Sequence, residues 1–139
     1  MLTNSIKDDI KHYFNYGSVA VKLIVVNIAI FLVLGILNLV GFFIESSGWY
    51  NLLLNKLEMP ASVHTLLYQP WSAFTYMFMH TGLLHLLFNM LWFYWFSEIF
   101  ILHLGDKRVL PLYLLGGLSG AVIYMLAYNF IPVFKPKVD

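Results

Sequence analysis

The chain has 139 residues, of which 60% are hydrophobic and 11% charged, and its mean hydropathy is +0.77. Soluble domains are nearer half apolar and a quarter charged, and a chain this short buries only about two-thirds of its surface on folding, so the composition excludes an ordinary water-soluble domain and points to lipid as the solvent. The net charge of +1 excludes a strong basic field and with it nucleic-acid binding, while the lack of cysteine excludes a disulfide scaffold and thiolate chemistry.

Taken in order, Met1–Gly17 carries Lys7, Asp8, Asp9 and Lys11 and reads as a short interfacial or flexible arm. Leu23–Ile44 is free of charge and, at ~1.5 Å per residue, reaches roughly 30 Å, the thickness of the hydrocarbon core. It is too long for a signal-peptide core of roughly 7–15 residues, so it reads as a retained span. Glu45–Met79 is a long connection rich in Trp, Tyr and Leu and broken by Pro60 and Pro70. Leu52, Leu53, Leu54, Leu57 and Met59 fit an interfacial amphipathic helix, with Trp49, Tyr50 and Trp71 at headgroup level; an apolar loop packed on the bundle fits equally well. Gly82–Leu104 is a second span, interrupted by His85, Asn89 and Glu98. The polar turn Gly105–Arg108 leads into a third, Val109–Ile131.

These elements predict an all-α integral membrane protein with three transmembrane helices (about 23–44, 82–104 and 109–131), an interfacial helical first loop over 45–79, and one domain over 1–139. Basic residues set the expected orientation. With the N-terminus cytoplasmic, Lys7, Lys11, Lys22, Lys107 and Arg108 lie inside, against Lys56, Lys135 and Lys137 outside.

His85 and Asn89 are four residues apart and share a helix face, about 40° apart. Polar side chains in hydrocarbon are costly and are expected to turn toward protein or a wet cavity. Two donors just below the membrane surface suit a developing oxyanion; bonds to neighbouring helices are the plain structural alternative. His80 lies five residues before His85, about 140° around a continuous helix, which argues against a shared metal, and no third zinc ligand is evident. Glu98 is expected to pair with Arg108 or Lys107, and the aromatic run Trp92–Phe96 to pack against lipid or neighbouring helices.

Read as a string, Pro70-Trp71-Ser72 through Thr75, Tyr76, His80, Gly82, His85, Asn89 and Trp92 resembles the rhomboid family of intramembrane serine proteases, across their first external loop and second transmembrane helix. The likeness continues through Glu98, Gly105–Arg108 and Leu112-Tyr113-Leu-Leu-Gly116-Gly117-Leu-Ser-Gly120, and covers roughly residues 20–130. It implies a partial rhomboid bundle of the first three transmembrane helices. It assigns His85 and Asn89 to the oxyanion hole and His80 to the mouth of that site. It also implies a bacterial inner membrane, transmembrane protein substrates or partner helices besides lipid, and no metal or other cofactor. Where the family often has Trp-Arg, this chain has Trp71-Ser72, which bears on how the loop is anchored.

The family's nucleophile, a serine in a Gly-x-Ser-Gly-type element on the fourth helix, and its base, a histidine on the sixth, are not found in these 139 residues. Gly117-Leu-Ser119-Gly120 has the right letters, yet it lies within the third span, deeper than Asn89 by helix rise. No histidine follows His103, which is some 27 Å along the axis from His85, and His64 lies in the external loop. Ser119 therefore reads as a packing residue beside a Gly116/Gly120 GxxxG pair. The expectation is a truncated rhomboid protease, inactive as it stands; the alternative is a non-catalytic relative that binds other transmembrane helices. A polar pair left facing lipid would also favour self-association.

Overall fold

The computed structural model describes residues 17–44 and 48–131, so the expected N-terminal arm lies almost wholly outside the described residues. Helix α1 spans Val19–Phe43, α2 Gly48–Leu57, α3 Val63–Tyr68 and α4 Ser72–Thr75. A 3-10 turn follows at Tyr76–Phe78, then α5 at Leu83–Leu104, a second 3-10 turn at Asp106–Arg108 and α6 at Val109–Phe130. No strand occurs among the described residues. Three helices are long and apolar enough to cross a membrane, and the protein is an all-α integral membrane protein. Their bounds differ from the sequence expectation by at most four residues, at the start of α1.

Local chemistry explains the breaks. Without water to satisfy backbone groups, an apolar run crosses lipid as an unbroken helix. Gly82 is extended before α5, and Gly105, at φ +83, takes the left-handed conformation that ends it. Pro111 falls in the first turn of α6, where no backbone N–H is needed. Pro60 and Pro70 keep the loop helices short.

The chain divides into two compact units. The first joins the residues up to Leu32 with His80–Leu112. Its buried positions are Ala20, Leu23 and Asn27 on α1, Leu86 and Ser97 on α5, and Val109 at the start of α6. Asp106 accepts a hydrogen bond from the Val19 backbone N–H at 2.8 Å, satisfying one of the donors that α1 leaves open at its N-terminus. Glu98 has no ion-pair partner among the described residues, contrary to the pairing expected with Lys107 or Arg108. About 10 Å of helix separates it from the turn at Gly105.

The second unit joins Val33–Met79 with Tyr113 onward. Here the loop is a built element that closes on itself. Three successive carbonyls at the end of α2 accept side-chain donors: Asn55 from Gln69 Nε2 at 3.2 Å, Lys56 from Trp71 Nε1 at 2.8 Å and Leu57 from Thr75 Oγ1 at 2.7 Å. These are carbonyls a helix end otherwise leaves unpaired. Ser72, fully buried, donates to the Gln69 carbonyl at 2.7 Å. The loop also bonds to α6. Tyr76 donates to the Gly117 carbonyl, Tyr113 to the Met77 carbonyl at 3.2 Å and Asn129 Nδ2 to the Ala61 carbonyl at 3.2 Å.

Candidate functional site

His85 is the third residue of α5 and Asn89 the seventh, within about 10 Å of the helix start. His80 precedes the helix. The argument that a wheel separates it from His85 by about 140° therefore fails, because the wheel does not extend beyond Leu83. The two imidazoles meet instead, with ring centroids 5.4 Å apart and planes tilted by 58°. Thr81 Oγ1 makes a long contact of 3.4 Å with His85 Nδ1. When that hydroxyl donates, the neutral ring carries its proton on Nε2 and becomes a donor there.

Sequence reasoning expected the His85/Asn89 pair to turn toward protein; in the structure both side chains are exposed. The packed face of α5 carries Leu86 and Ser97, each 3% exposed, and lies about 100° around the helix from His85. Beyond Asn89, the same side of the helix carries Trp92 and Phe96, whose rings stack at 5.8 Å and 23°. This helix side thus offers a donor pair near one end and an aromatic platform further along.

The other two described histidines are engaged elsewhere. His64 is exposed on α3 against the Tyr68 ring at 4.9 Å. His103 Nδ1 lies 2.8 Å from the Ile99 carbonyl of its own helix. Among the described residues no three of His, Cys, Asp and Glu converge on a point that would hold a metal ion.

Ser119 is exposed on α6. The small-residue contact beside it differs from the expected GxxxG pair. A Cβ on Gly116 would meet nothing, whereas one on Gly117 would lie 2.3–2.7 Å from the Met77 side chain and one on Gly120 3.0 Å from Tyr76 Oη. The glycines seat the external loop on α6, with Met77 against Gly117 and Tyr76 against Gly120. Burial raises the Tyr76 phenol above its usual 10.0, partly offset by a backbone hydrogen bond from Ala121. The hydroxyl thus sits between the Gly117 carbonyl and the Ala121 N–H.

Several of these residues escaped the sequence reading. Asn27 is fully buried in α1, where its amide donates to the Leu23 carbonyl at 2.8 Å. Its signal was available, since it interrupts an apolar run as His85 does. Gln69 bears no such mark, and Thr75 and Tyr76 entered only as part of the family string, because their contacts are to carbonyls 14 to 41 residues distant in the chain.

Comparison with known proteins agrees with this class of membrane chain. The family model of the Rhomboid domain matches residues 68–133. Proteins named Rhomboid protease GlpG from Salmonella newport (strain SL254), Salmonella heidelberg (strain SL476) and Salmonella enteritidis PT4 (strain P125109) are each 29% identical, over 46% of this chain and 29% of the relative. The match thus spans about three-tenths of the length of the curated relatives. No solved structure gives a significant match. Over residues 68–133 the chain is similar to the rhomboid family.

Proposed function

We propose that this chain supplies the oxyanion-binding half of a rhomboid-type serine protease acting on transmembrane segments. The observation that supports it most is the meeting of His80 with His85, one turn from Asn89, at the start of a membrane-length helix inside the matched region. In such a reaction a serine attacks the scissile carbonyl and its oxygen becomes an oxyanion. His85 Nε2–H and the Asn89 amide donate to it; each such donor contributes about 100- to 1,000-fold in rate. A carboxylate at either place would only accept hydrogen bonds. His80 borders the entrance.

In this reading the nucleophile and base come from outside these 139 residues, which alone do not hydrolyse a peptide bond. Ser119 has no base in the sequence that follows it, since no histidine lies beyond His103. The substrate is a transmembrane segment, the membrane is a bacterial inner membrane, and the N-terminus is cytoplasmic, as the excess of basic residues on that side supports. A second reading is a non-catalytic member that binds other transmembrane helices, or a second copy of itself, through the side of α5 bearing His85, Asn89 and Trp92; the exposure of all three favours it.

The test is fluorophosphonate labelling of the 139-residue chain in liposomes, with cleavage of a reporter transmembrane peptide read in parallel. Neither labelling nor cleavage is expected. Labelling that disappears in Ser119→Ala and persists in His85→Ala would overturn both the packing role of Ser119 and the assignment of the site.

A further inference from the structure

We propose that the first external loop and α6 together form a binding site for one acyl chain of a bilayer phospholipid. Met59, Val63 and Leu66 of the loop and Leu118, Val122 and Met125 of α6 line a groove of about 320 Å³ whose walls are apolar throughout. Val63 and Val122 are 54% and 58% exposed, so the groove opens to its surroundings.

Those surroundings are hydrocarbon. Leu118 and Met125 lie roughly 18 Å and 7 Å from the end of α6 by helix rise, a depth range close to one leaflet of a core about 30 Å thick. The size selects the occupant further. One turn of α-helix with its side chains fills a cylinder of roughly 400–600 Å³, so the groove encloses less than one turn of a transmembrane helix. An extended peptide would bring backbone N–H and C=O groups against walls that offer no partner, at a cost of several kcal/mol. A single hydrocarbon tail meets both limits. The groove is preformed, because the Tyr76–Gly117 and Asn129–Ala61 hydrogen bonds fix its walls, loop to helix. A tail here would hold the loop at a constant depth by burying methylenes on both elements.

The experiment places the full chain in phosphatidylcholine nanodiscs doped with a phosphatidylcholine carrying a mid-chain diazirine, followed by photolysis and peptide mapping. Leu118, Val122 and Met125 are expected to label several-fold more than Ile36 and Leu39, which are 59% and 58% exposed on α1. Ala73→Trp, which fills the groove from the loop side, should bring them down to the α1 level; Val63→Trp on the exposed rim serves if the first variant does not fold. Labelling of groove residues no higher than α1, or unchanged in a folded groove-filling variant, would overturn the proposal. So would a signal abolished by free oleate at a small mole fraction of the bilayer lipid, which would assign the groove to a fatty acid.

Discussion

In the proposed reaction the role of His85 turns on which ring nitrogen holds the proton. An imidazole serves as an oxyanion donor only through an N–H, and the proposed role needs the Thr81 hydroxyl, 3.4 Å from Nδ1, to donate there so that Nε2 carries the proton. Nitrogen-15 spectra of selectively labelled protein are expected to show the Nε2–H tautomer of His85 dominant, with that dominance reduced in Thr81→Val. Tyr76 presents the complementary case of a hydroxyl spent on structure. Tyr76→Phe removes its bond to the Gly117 carbonyl and should destabilise the loop by about 1 kcal/mol, read as faster amide exchange over residues 59–79. The sign of the pH effect follows from the raised phenol. The folded loop holds its proton more tightly than the unfolded chain, so the contribution of Tyr76 to stability is constant below pH 10 and falls as pH rises beyond it. In Tyr76→Phe that fall should vanish.

The three long helices were legible at the scale of elements because a crossing leaves no choice: an apolar run of bilayer length in lipid must satisfy its own backbone, and Gly105 and Pro111 mark the turn between α5 and α6. The loop was legible only as a location. Its fold depends on Gln69, Trp71 and Thr75 reaching carbonyls at the end of α2, a pattern with no periodicity to detect. The same contacts show how the loop is anchored where the family pattern's arginine is replaced by Ser72, which bonds to Gln69. The Gly116/Gly120 expectation failed for a related reason. A GxxxG spacing says that something comes close, and here what comes close is Met77 and Tyr76 of the loop, at Gly117 and Gly120. Gly117→Leu should therefore loosen the loop more than Gly116→Leu, and adding Met77→Ala should restore part of the loss. Thermal melting of the two single variants and the double variant measures this coupling directly.

For the whole molecule, the lesson of the site is mixed. Spacing placed His85 and Asn89 on one helix face, and their neighbourhood pointed to the rhomboid family. The meeting of His80 with His85 was not readable, because it depends on the path of the residues just before α5 and not on helix spacing. Nor was the exposure of the pair, which follows from which side of α5 packs. An oxyanion site for hydrolysis must admit both a carbonyl and water, and the exposure of the pair near the end of a membrane helix is compatible with that entry as well as with the docking of another helix.

The most direct test of that claim uses the absence of cysteine. Single spin labels at Asn89→Cys and, as references, at Phe88→Cys and Trp95→Cys are compared in liposomes for collision with a water-soluble nickel relaxant and with oxygen. Nickel accessibility at position 89 is expected to exceed that at both references, marking a wet pocket beneath the membrane surface. Oxygen-dominated accessibility at position 89, equal to that at 95, would place the pair in plain hydrocarbon and contradict the oxyanion reading.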